Sequence, residues 1–222
     1  IAHVIGFSLR NVELIDDHDR QMQSILQTLA ASIDARDPLT AGHSAKVTEY
    51  ALGIAKELNL SQEYCEVIRV AALLHDYGKI GVPDAILKKP GRLTREEHEI
   101  VKTHAMKSQQ LLEQIHFSGT LSKVPQIVGA HHEKVDGSGY PLGLKCDQIP
   151  LGARIIAVAD VFEAITAKRH YRDPLPVDVA FHLLEKERSV HFENSIVDAF
   201  KRYYLKSNQK DPSGGGNLQK VS

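Results

Sequence analysis

The chain has 222 residues, its 27 Lys and Arg nearly balance its 28 Asp and Glu, and hydrophobic residues make up 42%. This length fits one domain with an appended helix, because a single hydrophobic core stops growing near ~250 residues. The balanced charge excludes the basic excess that binding to phosphate backbones needs, so we expect no nucleic-acid polymer as a partner.

Residues 1 to about 35 predict one long amphipathic helix, because apolar residues recur at intervals of three and four positions. Examples are Val4, Leu9, Val12, Met22, Ile25, Leu29 and Ile33. Within this segment, HVIGFSLRNVEL is similar to the closing helix of GAF-type sensory domains. We therefore assign residues 1–33 to a linker or signalling helix that ends an upstream sensory module. The alternative is a helix that packs on the main domain or on its symmetry mate, which would make a homodimer.

Residues 34–205 are predicted to form the main domain from helices alone, because no segment alternates apolar and polar residues as a strand does. Thr94 and Glu97 form a capping box that opens a helix through about Ile115, and Pro125 and Pro150 stand at the starts of two more. Further helices are expected around 47–58, 67–74, 177–187 and 194–205. We predict an all-α bundle of seven to eight helices behind the linker helix, with residues 206–222 as a disordered tail.

Cysteine content and hydropathy bear on the compartment. Cys65 and Cys146 are too few for a disulfide framework or a thiolate metal site. No run of ~18 apolar residues is present, so neither a membrane span nor a signal peptide is predicted. These features favour the cytoplasm. Because the first residue is Ile1, we interpret the chain as a segment of a longer signalling protein, which is compatible with membrane association of the whole.

Histidine is unusually frequent, with 12 in the chain against two methionines and no tryptophan. A single histidine on a helix is usually solvated, but several on different helices of one bundle can converge on a metal. Five histidines and two aspartates have this distribution: His43, His75, Asp76, His104, His131, His132 and Asp160.

The His75-Asp76 pair follows an apolar helical stripe, and Gly78 is expected to end that helix in a left-handed cap. Adjacent helical residues point about 100° apart, so both can serve one centre only if Asp76 bridges two ions. Two bridged metals activate a shared water and clamp phosphodiester oxygens, which indicates a hydrolase. Imidazole and carboxylate ligands without thiolate suit Fe, Mn, Ni or Zn.

Three sequence blocks resemble the signature motifs of the HD-GYP family, a branch of the HD-domain metal-dependent phosphohydrolases. They are HDYGK (75–79), AHHEKVDGSGYP (130–141) and ADVFEA (159–164). The resemblance implies an all-helical bacterial phosphodiesterase that linearises cyclic di-GMP to pGpG, and in some members continues to GMP. Two alternatives remain open, a hybrid cyclic GMP-AMP dinucleotide as the substrate and an inactive module that binds a nucleotide or a partner.

The resemblance also implies ligand roles at two divalent metal ions that share Asp76. The first ion would be held by His43, His75, Asp76 and Asp160. The second would be held by Asp76, His104 and His131, with His132 either completing it or donating a hydrogen bond behind it. Leu39 stands where three-metal members carry a glutamate, so two ions are expected. Fe and Mn are favoured over Zn and Ni.

Substrate contacts are implied by the same motifs. Lys79 would act with Asp76 in catalysis by contacting a phosphate oxygen. Arg169 and Arg172 would bind phosphate or a guanine edge, and surface salt bridges are their alternative role. In the loop DGSGYP (136–141), two glycines permit positive φ. Tyr140 would line the substrate entrance or pack the loop onto the bundle, and the motif is also tied to a signalling-protein partner.

Overall fold

A computed structural model describes residues 2–36, 42–168 and 173–210, and within these ranges it contains nine α-helices and no β-strand. The helices are α1 (Ala2–Arg36), α2 (His43–Glu57), α3 (Gln62–Leu74), α4 (Asp84–Leu87), α5 (Arg95–Leu112), α6 (Val124–Gly129), α7 (Leu151–Thr166), α8 (Val177–Glu187) and α9 (Asn194–Lys210). Three short 3-10 helices span Tyr77–Gly81, Gly119–Lys123 and Cys146–Gln148. The predicted all-α class is confirmed, since eight α-helices follow α1.

Helix α7 is the central element of the bundle, and most of its apolar residues are buried. The Phe162 ring packs 4.7 Å from Phe200 and 4.9 Å from Phe181, measured between ring centroids. A buried aromatic ring contributes roughly 1.5–3 kcal/mol, so this cluster fixes the rotation of α7. Consequently Asp160 and Glu163, which share the opposite face at a spacing of three residues, are directed at α2.

Helix α1 packs on the bundle near its C-terminal end. Leu26, Ala30 and Ile33 are buried against α2 and α3. Met22 and Ile25 belong to the predicted apolar stripe but are 43% and 54% exposed. The side chains of the earlier stripe residues lie outside the described part of the structure.

Helix ends follow local signals where these exist. Thr94 Oγ1 accepts a hydrogen bond from the Glu97 backbone N–H, and the Glu97 carboxylate accepts one from the Thr94 N–H, so the predicted capping box is present. Helix α5 ends at Leu112, three residues before the predicted end. Helix α6 ends at Gly129, which leaves the next three residues in a turn.

The last helix differs from the prediction because it continues to Lys210, so residues 206–210 are helical and do not belong to the predicted tail. Lys206 lies 2.7 Å from a carboxylate oxygen of Glu57, which ties this turn to α2. Residues 211–222 lie outside the described part. No helix among the described residues combines the length and apolarity needed to cross a bilayer.

Candidate metal centre

The structure brings all seven predicted ligand side chains together where five helices meet. His43 begins α2, His75 and Asp76 follow α3, and His104 lies within α5. The other three are His131 and His132, directly after α6, and Asp160 on α7. Residues more than one hundred positions apart in sequence thus lie together, and six of the seven fall into two groups of three, with Asp76 between them.

The first group consists of His43, His75 and Asp160. His43 Nε2 lies 3.2 Å from His75 Nε2 and 3.3 Å from Asp160 Oδ1. The three donor atoms lie within 4.8 Å of one another, which is close enough for one ion to contact all three.

The second group consists of His104, His131 and His132. His104 Nε2 lies 3.1 Å from His132 Nε2 and 3.4 Å from His131 Nε2. The three rings offer donor atoms within 4.8 Å of one another. This placement puts His132 among the donors rather than behind them.

Asp76 lies between the two groups. Its Oδ2 is 3.4 Å from His75 Nε2 and 3.6 Å from His43 Nε2, whereas its Oδ1 is 3.2 Å from His104 Nε2. One carboxylate therefore presents an oxygen to each group, as a ligand shared by two ions would.

The tautomers of three rings follow from their hydrogen bonds. Nδ1 of His75, His104 and His131 lies 2.7, 2.6 and 2.6 Å, respectively, from a carbonyl oxygen three residues earlier. A carbonyl can only accept, so each Nδ1 carries the proton and each Nε2 directs a lone pair into the pocket. Lone pairs that face each other across 3.4 Å repel unless a cation lies between them. The donor set therefore fits metal ions.

Electrostatics differ between the two groups. Burial lowers the pKa of His104 and lowers that of His131 well below its usual value. Burial, together with the neighbouring His104 ring, lowers the pKa of His132 to about 3. Burial also opposes protonation of His43, but hydrogen bonds to Asp160 and Glu163 outweigh it and raise the pKa of His43 to about 10. Burial thus favours the uncharged imidazole in the second group, which is the form that binds metals, whereas the carboxylates of the first group attract positive charge.

Two acidic groups remain ionised despite their burial. Burial opposes the ionisation of Asp76, but the charge of Lys79 holds its pKa well below the usual range. Burial likewise opposes ionisation of Asp160, and its hydrogen bond with His43 holds the pKa of that carboxyl below the usual range. Lys79 Nζ lies 2.8 Å from Asp76 Oδ2, so its ammonium group faces the centre.

Gly78 does not form the predicted left-handed cap, because α3 already ends at Leu74 and Gly78 lies inside a 3-10 helix without positive φ. A Cβ at Gly78 would lie 2.1 Å from the carbonyl oxygen of His104. The Gly78 N–H donates to Ser108 Oγ at 2.6 Å. Glycine is needed here because the turn touches α5, and this contact brings Asp76 next to His104.

Of the two glycines in the DGSGYP loop, only one has the positive φ that the sequence predicts for both. Gly137 has a φ of 85°, whereas Gly139 has no positive φ. A Cβ at Gly139 would lie 2.5 Å from Glu133 Cα, so glycine is needed here for the close approach of the two backbone segments.

Tyr140 stacks on His132 with ring centroids 4.7 Å apart. Its other neighbours include Lys102, whose Nζ lies 5.6 Å from the centre of the Tyr140 ring. Tyr140 therefore both packs the loop and borders the pocket.

Sequence reasoning missed two buried glutamates. Glu163 Oε2 lies 2.5 Å from His43 Nδ1, and its spacing of three residues from Asp160 was the available signal. Glu133 accepts backbone hydrogen bonds from Leu142, Gly143 and Leu144 at 2.7–3.1 Å. No local pattern predicts this second role. Arg169, Arg172 and Leu39 lie outside the described residues.

Glu163→Ala is expected to weaken metal binding by roughly 10–100-fold, because the carboxylate orients the His43 ring and raises its basicity. Glu163→Gln keeps an acceptor oxygen and should lose less. Titration against a chromogenic chelator measures both, with Glu49→Ala as a control at an exposed position of α2. Unchanged affinity in Glu163→Ala would show that His43 is oriented without this contact.

A bundle of helices that gathers imidazoles and carboxylates around one shared aspartate defines an all-helical protein with a candidate site for two metal ions. The family model for the HD domain matches residues 27–196, and the chain belongs to this family. The predicted family resemblance is thereby confirmed.

Two curated relatives and one solved structure show the likeness in detail. The chain is 40% identical to a 3'3'-cGAMP-specific phosphodiesterase of Vibrio cholerae, over 83% of this chain and 39% of that protein. It is 39% identical to a cyclic di-GMP phosphodiesterase response regulator of Xanthomonas campestris, over 87% and 50%. A crystal structure of a cyclic GMP-AMP specific phosphodiesterase from Vibrio cholerae superposes with a TM-score of 0.54 at 34% identity, over 84% and 42%. The chain thus spans half or less of the length of these proteins.

Proposed function

We propose that this chain is a metal-dependent phosphodiesterase that hydrolyses cyclic di-GMP to pGpG, as the output module of a bacterial signalling protein. The observation that carries the proposal is the position of Asp76, whose two oxygens face two separate groups of donor atoms. Relatives named as cyclic di-GMP phosphodiesterases support the substrate.

The proposed ligand assignment follows the two groups of donors. One ion would be held by His43, His75 and Asp160, the other by His104, His131 and His132, with Asp76 shared. We propose divalent transition metals, because imidazoles and carboxylates without thiolate suit Fe, Mn, Ni or Zn. The family resemblance favours Fe or Mn among them. When bound, such ions supply Lewis acidity to phosphate oxygens and lower the pKa of a water nucleophile.

The remaining residues act on the substrate directly. Lys79 holds its ammonium at the edge of the centre, where it can donate to a phosphate oxygen and stabilise charge that develops on the leaving 3′ oxygen. Tyr140 borders the same pocket through its stacking on His132 and would contact the entering dinucleotide. Arg169 and Arg172 stay predicted contacts for phosphate or guanine on the basis of their sequence position.

A second candidate substrate is a hybrid cyclic GMP-AMP dinucleotide, which is favoured by the 40% identity to a relative named for that specificity. The test is metal analysis of anaerobically purified protein together with chromatographic identification of products from both dinucleotides. We expect two ions per chain and pGpG from cyclic di-GMP. Turnover of the hybrid dinucleotide alone would change the substrate, and metal-loaded protein that binds a dinucleotide at micromolar concentration without turnover would be a binding module.

We also propose that the exposed part of α1 is a linker or signalling helix in a cytoplasmic setting. Burial of Leu26, Ala30 and Ile33 supports a boundary to the catalytic domain near residue 26 rather than at residue 33. Leu14, Met22 and Ile25 are exposed and support a homodimer through α1. A signalling partner at the DGSGYP loop stays a prediction from sequence.

A further inference from the structure

The last residue of α1 is hydrogen-bonded to the loop that carries Lys79. Arg36 Nη1 donates to the carbonyl oxygens of Lys79 and Ile80 at 2.9 and 2.7 Å, and Nη2 donates to that of Val82 at 2.8 Å. Nη2 and Nε also donate to Asp84 Oδ1 at 2.7 and 3.0 Å. One guanidinium group from a different helix thus makes five hydrogen bonds to a short segment.

Three of these hydrogen bonds are accepted by backbone carbonyl oxygens at and after the end of the 3-10 helix. Carbonyl groups at the end of a helix lack partners within it, and Ile80 lies at the end of the 3-10 helix Tyr77–Gly81. The Lys79 carbonyl oxygen also accepts from the Val82 N–H at 3.0 Å, so Arg36 gives it a second donor. A guanidinium is a planar fork with five donors, so it can hold several carbonyls and a carboxylate in one fixed geometry, which an ammonium cannot.

The same 3-10 helix is held on its other side by α5. Ser108 Oγ accepts from the Gly78 N–H at 2.6 Å, and Lys107 Nζ donates to the Gly81 carbonyl oxygen at 2.8 Å. Lys79 lies between these two attachments, and its backbone carbonyl is bound by Arg36 while its ammonium contacts Asp76. The position of the Lys79 side chain therefore depends on contacts from both α1 and α5.

A second residue in the same turn of α1 contacts the residue that follows His43. Asp34 is buried, and its carboxylate accepts from the Ser44 N–H at 3.2 Å and from Ser44 Oγ at 2.8 Å. Ser44 follows His43, so the end of α1 contacts the neighbours of residues in both parts of the pocket.

We propose that Arg36 is a positioning residue for the reaction: it holds the backbone of the Lys79 turn so that the ammonium of Lys79 faces Asp76 and the substrate phosphate. The inference rests on the proposed function and adds to it a residue outside the signature motifs. Arg36 acts through Lys79 and touches neither metal ligands nor substrate.

The test compares Arg36→Ala and Arg36→Lys with Arg20→Ala, a control on the exposed part of α1 whose guanidinium contacts Asp16 and Asp17 of the same helix. Because small displacements of reacting groups are costly, kcat for cyclic di-GMP should fall on the order of 10–100-fold in Arg36→Ala, with KM and metal content little changed. Arg36→Lys keeps the charge but not the fork and should lose most of the same activity. Arg20→Ala should match the unmodified protein.

Two further measurements separate positioning from general stability. In a Lys79→Ala background, Arg36→Ala should cost little additional kcat, because residues that act through one another are not additive. Hydrogen exchange followed by mass spectrometry should show faster exchange in residues 77–82 of Arg36→Ala and unchanged exchange elsewhere. An equal loss of kcat in both backgrounds, or unchanged exchange in residues 77–82, would overturn the proposal. Absence of turnover in the unmodified protein would contradict the proposed function instead, and the exchange result would still decide whether Arg36 holds the turn.

Discussion

Asp76→Asn is expected to lower turnover of cyclic di-GMP by roughly 10³-fold or more and to reduce bound metal from two ions per chain to one or none. The physical reason is that one carboxylate serves both groups of donors, with Oδ1 near His104 and Oδ2 near His75. An amide has one acceptor oxygen and no charge, so it cannot be shared. The loss of several kcal/mol of transition-state stabilisation corresponds to this factor.

The substitution also affects Lys79, whose ammonium lies 2.8 Å from Asp76 Oδ2 and is 15% exposed. A partly buried ammonium without its carboxylate is unfavourable, so Lys79 should turn toward solvent. Metal content by mass spectrometry and product formation by chromatography measure the effect. Asp147→Asn, at an exposed position of the 3-10 helix Cys146–Gln148, is the matched control. Retention of two ions in Asp76→Asn would contradict the shared-ligand assignment.

Lys79→Ala is the second variant with a large expected effect. It should lower kcat by about 10²–10³-fold, the usual cost of removing one donor that stabilises developing negative charge. Metal content should stay at two ions per chain, because the ammonium of Lys79 is a cation and contributes no ligand atom.

The measurement pairs single-turnover kinetics with metal analysis, and Lys201→Ala provides a control at an exposed lysine paired with Glu185. Lys79→Ala leaves every assigned ligand in place, whereas Asp76→Asn changes the shared ligand. The two variants should therefore differ in metal content, although both lose activity. Loss of metal from Lys79→Ala would show that its role is to support Asp76 rather than to contact the substrate.

The fold was predictable because its signals are local. Three-and-four periodicity marks the buried faces of helices, and the capping box of Thr94 and Glu97 depends on residues only three positions apart. The position of α7 after Pro150 follows from the same kind of local rule. These signals identify where helices begin and which faces are buried without any knowledge of their partners.

The parts that sequence reasoning missed depend on contacts between distant segments. Gly78 fits a helix cap by local rules, yet its real constraint is the carbonyl oxygen of His104 on another helix. Glu133 is one acidic residue in a polar loop until the loop closes and gives it three N–H groups. Arg36 resembles a solvated residue at a helix end until the turn after α3 lies beside it. Local patterns do not encode such contacts.

The histidine-to-carbonyl bonds have a consequence for the choice of metal. His75, His104 and His131 are each hydrogen-bonded through Nδ1 to a backbone carbonyl of the preceding turn. These bonds hold the orientation of the rings before a metal ion binds. Metal binding would then need little rearrangement, and a rigid set of imidazoles would accept several first-row ions, so that the geometry of the site does not by itself select one of them. The metal ion bound in a cell would therefore depend on the available metal concentrations more than on the geometry of the site.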